Sequence, residues 1–131
     1  MRALIFQAIV NDPTLNFLGI TNSSSFAVDV DTPTQRPFLQ LRWGRNESAL
    51  SKTEIGRRTL TIWVHDQPGD YTLIDTIILQ LRTLLPTLEG QSNGLGHLVA
   101  VEWTGDSEDL VDDGHRTIAR NTSFSLVGSG Q

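Results

Sequence analysis

The chain contains no cysteine. Disulfides, thiolate nucleophiles and Cys-ligated zinc are excluded with it. A basic excess is missing too: 10 Lys and Arg stand against 15 Asp and Glu, a formal net charge of -5. Such a chain has no global field with which to hold nucleic acid. No apolar run reaches the roughly 18 residues of a membrane span. Met1–Val10 is apolar but short, Gln7 interrupts it, and no small-residue cleavage site follows. It reads as a short amphipathic helix rather than a secretory signal. Without such a signal, the triplets beginning at Asn22, Asn46 and Asn121 read as chance matches to a glycosylation site. There is no Gly-rich phosphate loop, because Gly94-Leu95-Gly96 precedes a strand, whereas a dinucleotide fingerprint follows one. No cofactor is expected. Neither a repeat nor a linker breaks the 131 residues, so residues 1–131 read as one domain with Gly128–Gln131 as a flexible tail.

What is present centres on Thr59–Leu88. Leu60, Ile62 and Val64 alternate with Thr59, Thr61, Trp63 and His65, the period of a half-buried strand. Asp66-Gln67-Pro68-Gly69 supplies a turn. Asp70 is the expected cap of a long helix, with Asp75 near its positive end. Leu73, Ile74, Ile77, Ile78, Leu81, Leu84, Leu85 and Leu88 recur at helical spacing, Pro86 perturbs the last turn, and Gly90 is a plausible end. Trp63, on the other side of the strand, is read as core beneath the N-terminal helices, with an interface anchor as the alternative.

Taken in order, the chain predicts further elements. Asp12 and Pro13 start a second short helix through Leu18 that Gly19 ends. Phe26, Val28 and Val30 alternate as an edge strand, and Phe38–Trp43 is a full strand closed by Gly44. Residues 44–58 read as a polar loop of about 15 residues, against a usual connection of roughly 4–6. His97–Trp103 is a strand, residues 105–114 an acidic loop, and about 115–127 a last strand bent near Asn121. The resulting fold class is α+β: an antiparallel or mixed sheet of about four strands, packed against one long helix and short N-terminal helices.

Candidate chemistry is thin. His65, His97 and His115 each fall at a strand end and none is spaced i, i+4 from another, so they read as partly exposed strand-end histidines rather than ligands. His65-Asp66 resembles an oriented base, but no nucleophile elbow accompanies it. The carboxylates at 106–113 fail the calcium-loop pattern: Leu110 replaces an oxygen ligand and the sharp-turn glycine is missing. What the pattern does offer is charge of opposite sign on two loops. Arg45, Lys52, Arg57 and Arg58 mark the first loop; Asp106, Glu108, Asp109, Asp112 and Asp113 mark the second. Pairing the acidic loop of one copy with the basic loop of the next would set register and partner choice. These nine residues are the candidate subunit interface; no catalytic or metal residue is assigned.

Several segments together carry a family likeness: Asn11-Asp12-Pro13-Thr14-Leu15, Arg36–Gly44, Leu60–Asp66, Gly69–Asp75 with its Leu-Arg-Xaa-Leu-Leu helix, and Arg116–Arg120. In order and spacing, from about Leu4 to Val127, the chain resembles the tail terminator (tail completion) proteins of long-tailed bacteriophages. The resemblance implies a non-enzymatic structural protein of the virion, placed at the neck and assembled in the host cytoplasm. It implies a homo-oligomer, a hexameric ring that caps the tail tube protein and ends its polymerisation. The ring would meet a head–tail connector protein and let genomic DNA pass its lumen without sequence-specific binding. A negative charge suits that passage. The alternatives are a head–tail connector or minor tail protein, and a small metal-dependent hydrolase, which would need the histidines and carboxylates to converge.

Overall fold

The computed structural model describes residues 2–21, 25–26, 37–44, 47–48, 56–93, 96–114 and 116–129. The elements are α1 (Arg2–Asn11), α2 (Pro13–Phe17), β1 (Ser25–Phe26), β2 (Phe38–Trp43), β3 (Glu47–Ser48), β4 (Gly56–Asp66), α3 (Thr72–Leu84), β5 (Ser92–Asn93), β6 (Gly96–Asp106), β7 (Leu110–Asp112) and β8 (Thr117–Ser129). The architecture is α+β, with one sheet in the order β1-β2-β4-β8-β6-β5. β3 adds to β4, and β7 to β8. Every described pairing is antiparallel except β1 with β2.

Four long strands, β2, β4, β8 and β6, therefore form the body expected from alternation, and four short ones extend it. Cross-strand partners share a face. The register Leu60↔Phe124 and Ile62↔Thr122, with Leu39↔Val64 and Leu41↔Ile62, gathers one apolar face. The helices cover that face: Ile74, Ile77, Ile78 and Leu81 of α3 and Leu4, Ile5 and Ile9 of α1 join Leu39, Leu41, Leu60, Ile62, Val64, Phe124 and Leu126 in one core. Each such side chain contributes about 1.5–3 kcal/mol by leaving water.

Local chemistry explains the helix ends. Asp12 sits in an extended conformation and its carboxylate accepts from Leu15 N at 3.0 Å, with Pro13 at the first helical position. Gly19 (φ 99°) ends that unit in a left-handed conformation that glycine adopts without strain. At α3 the N-cap is Tyr71 and not Asp70 as expected; Asp70, one residue earlier, accepts from Thr72 N through Oδ1 at 3.0 Å.

Five expectations need correction. The long helix is shorter than its apolar spacing: α3 ends after 13 residues and continues as one 3-10 turn, Leu85–Leu88, because Pro86 cannot donate to an α-helical ladder. The polar loop is shorter too, since Arg57 and Arg58 belong to β4 and Glu47–Ser48 pair back to it. β7 interrupts the acidic loop. β8 keeps its register past Asn121 and runs through Ser129; the bulges lie on β6, where Val99 and Thr104 are the extra residues. Trp63 is half-buried on the face opposite the helices, beside Gln40 and Asn121, so the N-terminal helices do not cover it. Val28, Val30, Gly130 and Gln131 lie outside the described residues.

Candidate functional site

The described members of the two charged clusters are spread along β4, with Asp106 level with its middle through Thr122 and Ile62. Arg57 and Arg58 open the strand and Asp66 closes it. Asp112 pairs with Thr117, next to Ile118, the partner of Asp66. From Arg58 to Asp66 is eight residues of strand, about 26 Å. Arg57 and Arg58 thus stand apart from Asp112 and Asp113, while Glu47 lies opposite Arg57 in register.

At the basic end, Arg45 and Lys52 lie outside the described residues. Arg57 is exposed. Arg58 lies with its guanidinium 5.2 Å from the centroid of the Trp43 ring, and Nη2 donates to Gly44 O at 3.2 Å. Its Nε is buried without a partner. Arg2 approaches the same indole at 5.9 Å. Burial, and then the charge of Arg2, hold the Arg58 guanidinium below the ordinary arginine pKa. Arg2 and Trp43 stand outside the nine residues expected at the interface. The signal was a cation in the first turn of a helix, at its positive end, where an acidic residue is the favoured choice.

At the acidic end, several expected interface residues are engaged within the chain. Asp106 accepts from Trp103 Nε1 at 2.9 Å and faces Arg82 Nη1 at 3.4 Å, while the Arg82 guanidinium lies 3.8 Å from the Trp103 ring centroid. Asp109 stands 3.7 Å from Arg120 Nε, and Arg120 also pairs with Asp75 and donates to Ser107 O at 3.1 Å. Asp112 Oδ2 lies 3.8 Å from His65 Nδ1. Glu108 and Asp113 are exposed and make no ion pair among the described residues.

His65 differs from expectation. It is 1% exposed, not a partly solvated strand end. Nδ1 meets Thr117 Oγ1 at 2.8 Å, Nε2 meets Gln40 Oε1 at 3.1 Å, and the ring stacks on Phe38 at 4.5 Å. An amide oxygen only accepts, so Nε2 carries the proton and the Thr117 hydroxyl donates to Nδ1 when the ring is neutral. A ring so enclosed has no path to a substrate. His97 is half-buried and its Nδ1 has no partner, and His115 lies outside the described residues. Among the described residues, no three of His, Asp and Glu converge to hold a metal. A depression of about 240 Å³ at the second β6 bulge is lined by Thr104, Gly105, Asp106, Ser107, Asn121 and Ser123, without a histidine. Large apolar side chains stand exposed at Phe17 (90%), Val111 (71%) and Leu79 (61%).

No protein-family model matches the chain, and no curated protein does. Thirteen chains of solved structures match. One belongs to the virion of a native gene transfer agent particle and superposes with a TM-score of 0.73, covering 96% of this chain and 92% of that one at 14% identity. The two chains share a fold. The likeness spans nearly the full length of both, so sheet and helices correspond as one unit rather than as a common fragment. No helix among the described residues is long and apolar enough to cross a membrane.

Proposed function

We propose that this chain is a structural protein of a bacteriophage-type virion, and within it a tail terminator. In this reading copies form a ring, of six by the family resemblance, at the head-proximal end of the tail tube. The ring ends tube polymerisation, joins the tail to the head connector and lets DNA pass its lumen. One observation carries the reading: the near-complete fold overlap with a chain of a virion particle. The order of segments that resembles tail terminators supports the finer assignment. So does the separation of charge along the sheet, because a ring needs two different patches on each copy. Among the described residues, Arg57 and Arg58 on one side, with Glu108 and Asp113 on the other, are the members of the predicted interface that make no ion pair. A connector or minor tail protein draws the same support from the virion fold.

The test is polymerisation of the tail tube protein, followed by negative-stain electron microscopy, with and without this chain. A terminator shortens tubes and leaves a ring of density at one end. Tubes of unchanged length that bind no chain contradict the terminator role, and binding to connector protein alone moves the assignment to the connector.

A further inference from the structure

We propose that Arg2, Trp43 and Arg58 form a carboxylate receptor whose occupant is the acidic end of a second copy of this chain. The inference deepens the ring reading and rests on it.

Two guanidiniums share one indole, at 5.9 and 5.2 Å from its centroid. No carboxylate among the described residues forms an ion pair with either. Burial works against the charge on Arg58, and the charge of Arg2 adds to it. Arg2 also begins a ten-residue helix with no acidic residue in its first turn, so the positive helix end adds to the two cations. With Arg58 Nε buried and its Nη2 bonded to Gly44 O, the exposed Arg2 guanidinium is the edge open to a carboxylate. Among the described residues this charge is uncompensated.

Among the described side chains, no carboxylate compensates Arg2 or Arg58. The acid-rich end is about 26 Å away along β4, beyond the screening length of about 8–10 Å. That end presents Asp70, Glu108 and Asp113 exposed and Asp66 half-buried. Asp66 and Asp70 each use one carboxylate oxygen on the local backbone, at 2.8 and 3.0 Å. The two ends are complementary in sign and lie on different parts of the molecule, as a head-to-tail contact between copies requires. The overall charge of -5 disfavours a polyphosphate as the occupant.

The experiment is sedimentation velocity on the wild type, Arg2→Glu, and the double variant Glu108→Lys, Asp113→Lys, each at low and high salt. All three substituted side chains are exposed, and a glutamate in the first turn favours α1, so the fold persists; unfolding midpoints check this. Arg2→Glu and the acidic-end variant each weaken association about tenfold or more, salt weakens the wild type, and an equimolar mixture of the two variants regains association. Association of Arg2→Glu equal to wild type overturns the inference and leaves the ring intact. Duplex DNA binding that Arg2→Glu abolishes, with assembly unchanged, also overturns it by making phosphate the occupant. A wild type that stays monomeric, alone and with tube protein, overturns the inference and the ring together.

Discussion

Replacing His65 by leucine should destabilise the chain by about 3 kcal/mol, although leucine is the more apolar residue. The ring is 1% exposed and both nitrogens are bonded, to Thr117 Oγ1 at 2.8 Å and Gln40 Oε1 at 3.1 Å. Leucine leaves two buried polar groups without partners, at about 1–3 kcal/mol each. It also removes the stack on Phe38, worth about 0.5–1.5 kcal/mol. Burying the leucine returns about 1.5–3 kcal/mol. Asp112, 3.8 Å from Nδ1, keeps 32% of its side chain in solvent and adds little. Urea unfolding read by tryptophan fluorescence is the assay, with Trp63 6.3 Å from the His65 ring as a local reporter. The midpoint should fall at constant m, and Tm should drop by roughly 10 °C. Replacing all three polar partners (His65→Leu, Gln40→Leu, Thr117→Val) should recover most of the loss, since it leaves no orphaned group. A single-variant loss below about 1 kcal/mol, or a triple variant no better than the single, would refute the account of this buried cluster.

Three other substitutions probe the frame. Asp12→Ala removes the cap of α2 and the 3.2 Å bond from Gln80 Nε2, and thermal unfolding should register a loss of about 1 kcal/mol. Leu81→Ala, at 0% exposure between α3 and the sheet, should cost about 2–5 kcal/mol in urea titrations. Phe17→Ser, at 90% exposure, should leave Tm within about 2 °C of wild type, and a larger drop would mean that Phe17 is not free in solution.

The residues that make the frame declare themselves by period. Leu60, Ile62 and Val64 alternate, and Ile74, Ile77, Ile78 and Leu81 recur at helical spacing, because each set meets one continuous core. Asp12-Pro13 and Gly19 are as legible, since their roles are local. His65 is not legible. It falls on the polar side of its strand, and only the pairing with β2 and β8 brings Phe38, Gln40 and Thr117 around it. The acidic segment misleads for a related reason. Asp106, Asp109 and Asp112 look like a solvated run, yet Arg82, Arg120 and His65 reach them from α3, β8 and β4. β7 has three residues, too few for a pattern. The separation of Arg57 and Arg58 from Asp112 and Asp113 depends on strand direction, which composition does not carry.

The most direct measurement of the central claim is the native mass of the purified chain by light scattering, across concentration and salt, alone and with tail tube protein. The account predicts one discrete ring-sized species, six times 14.5 kDa or about 87 kDa for a hexamer, formed alone or on adding tube protein. A 14.5 kDa monomer at every concentration that ignores tube protein would contradict it.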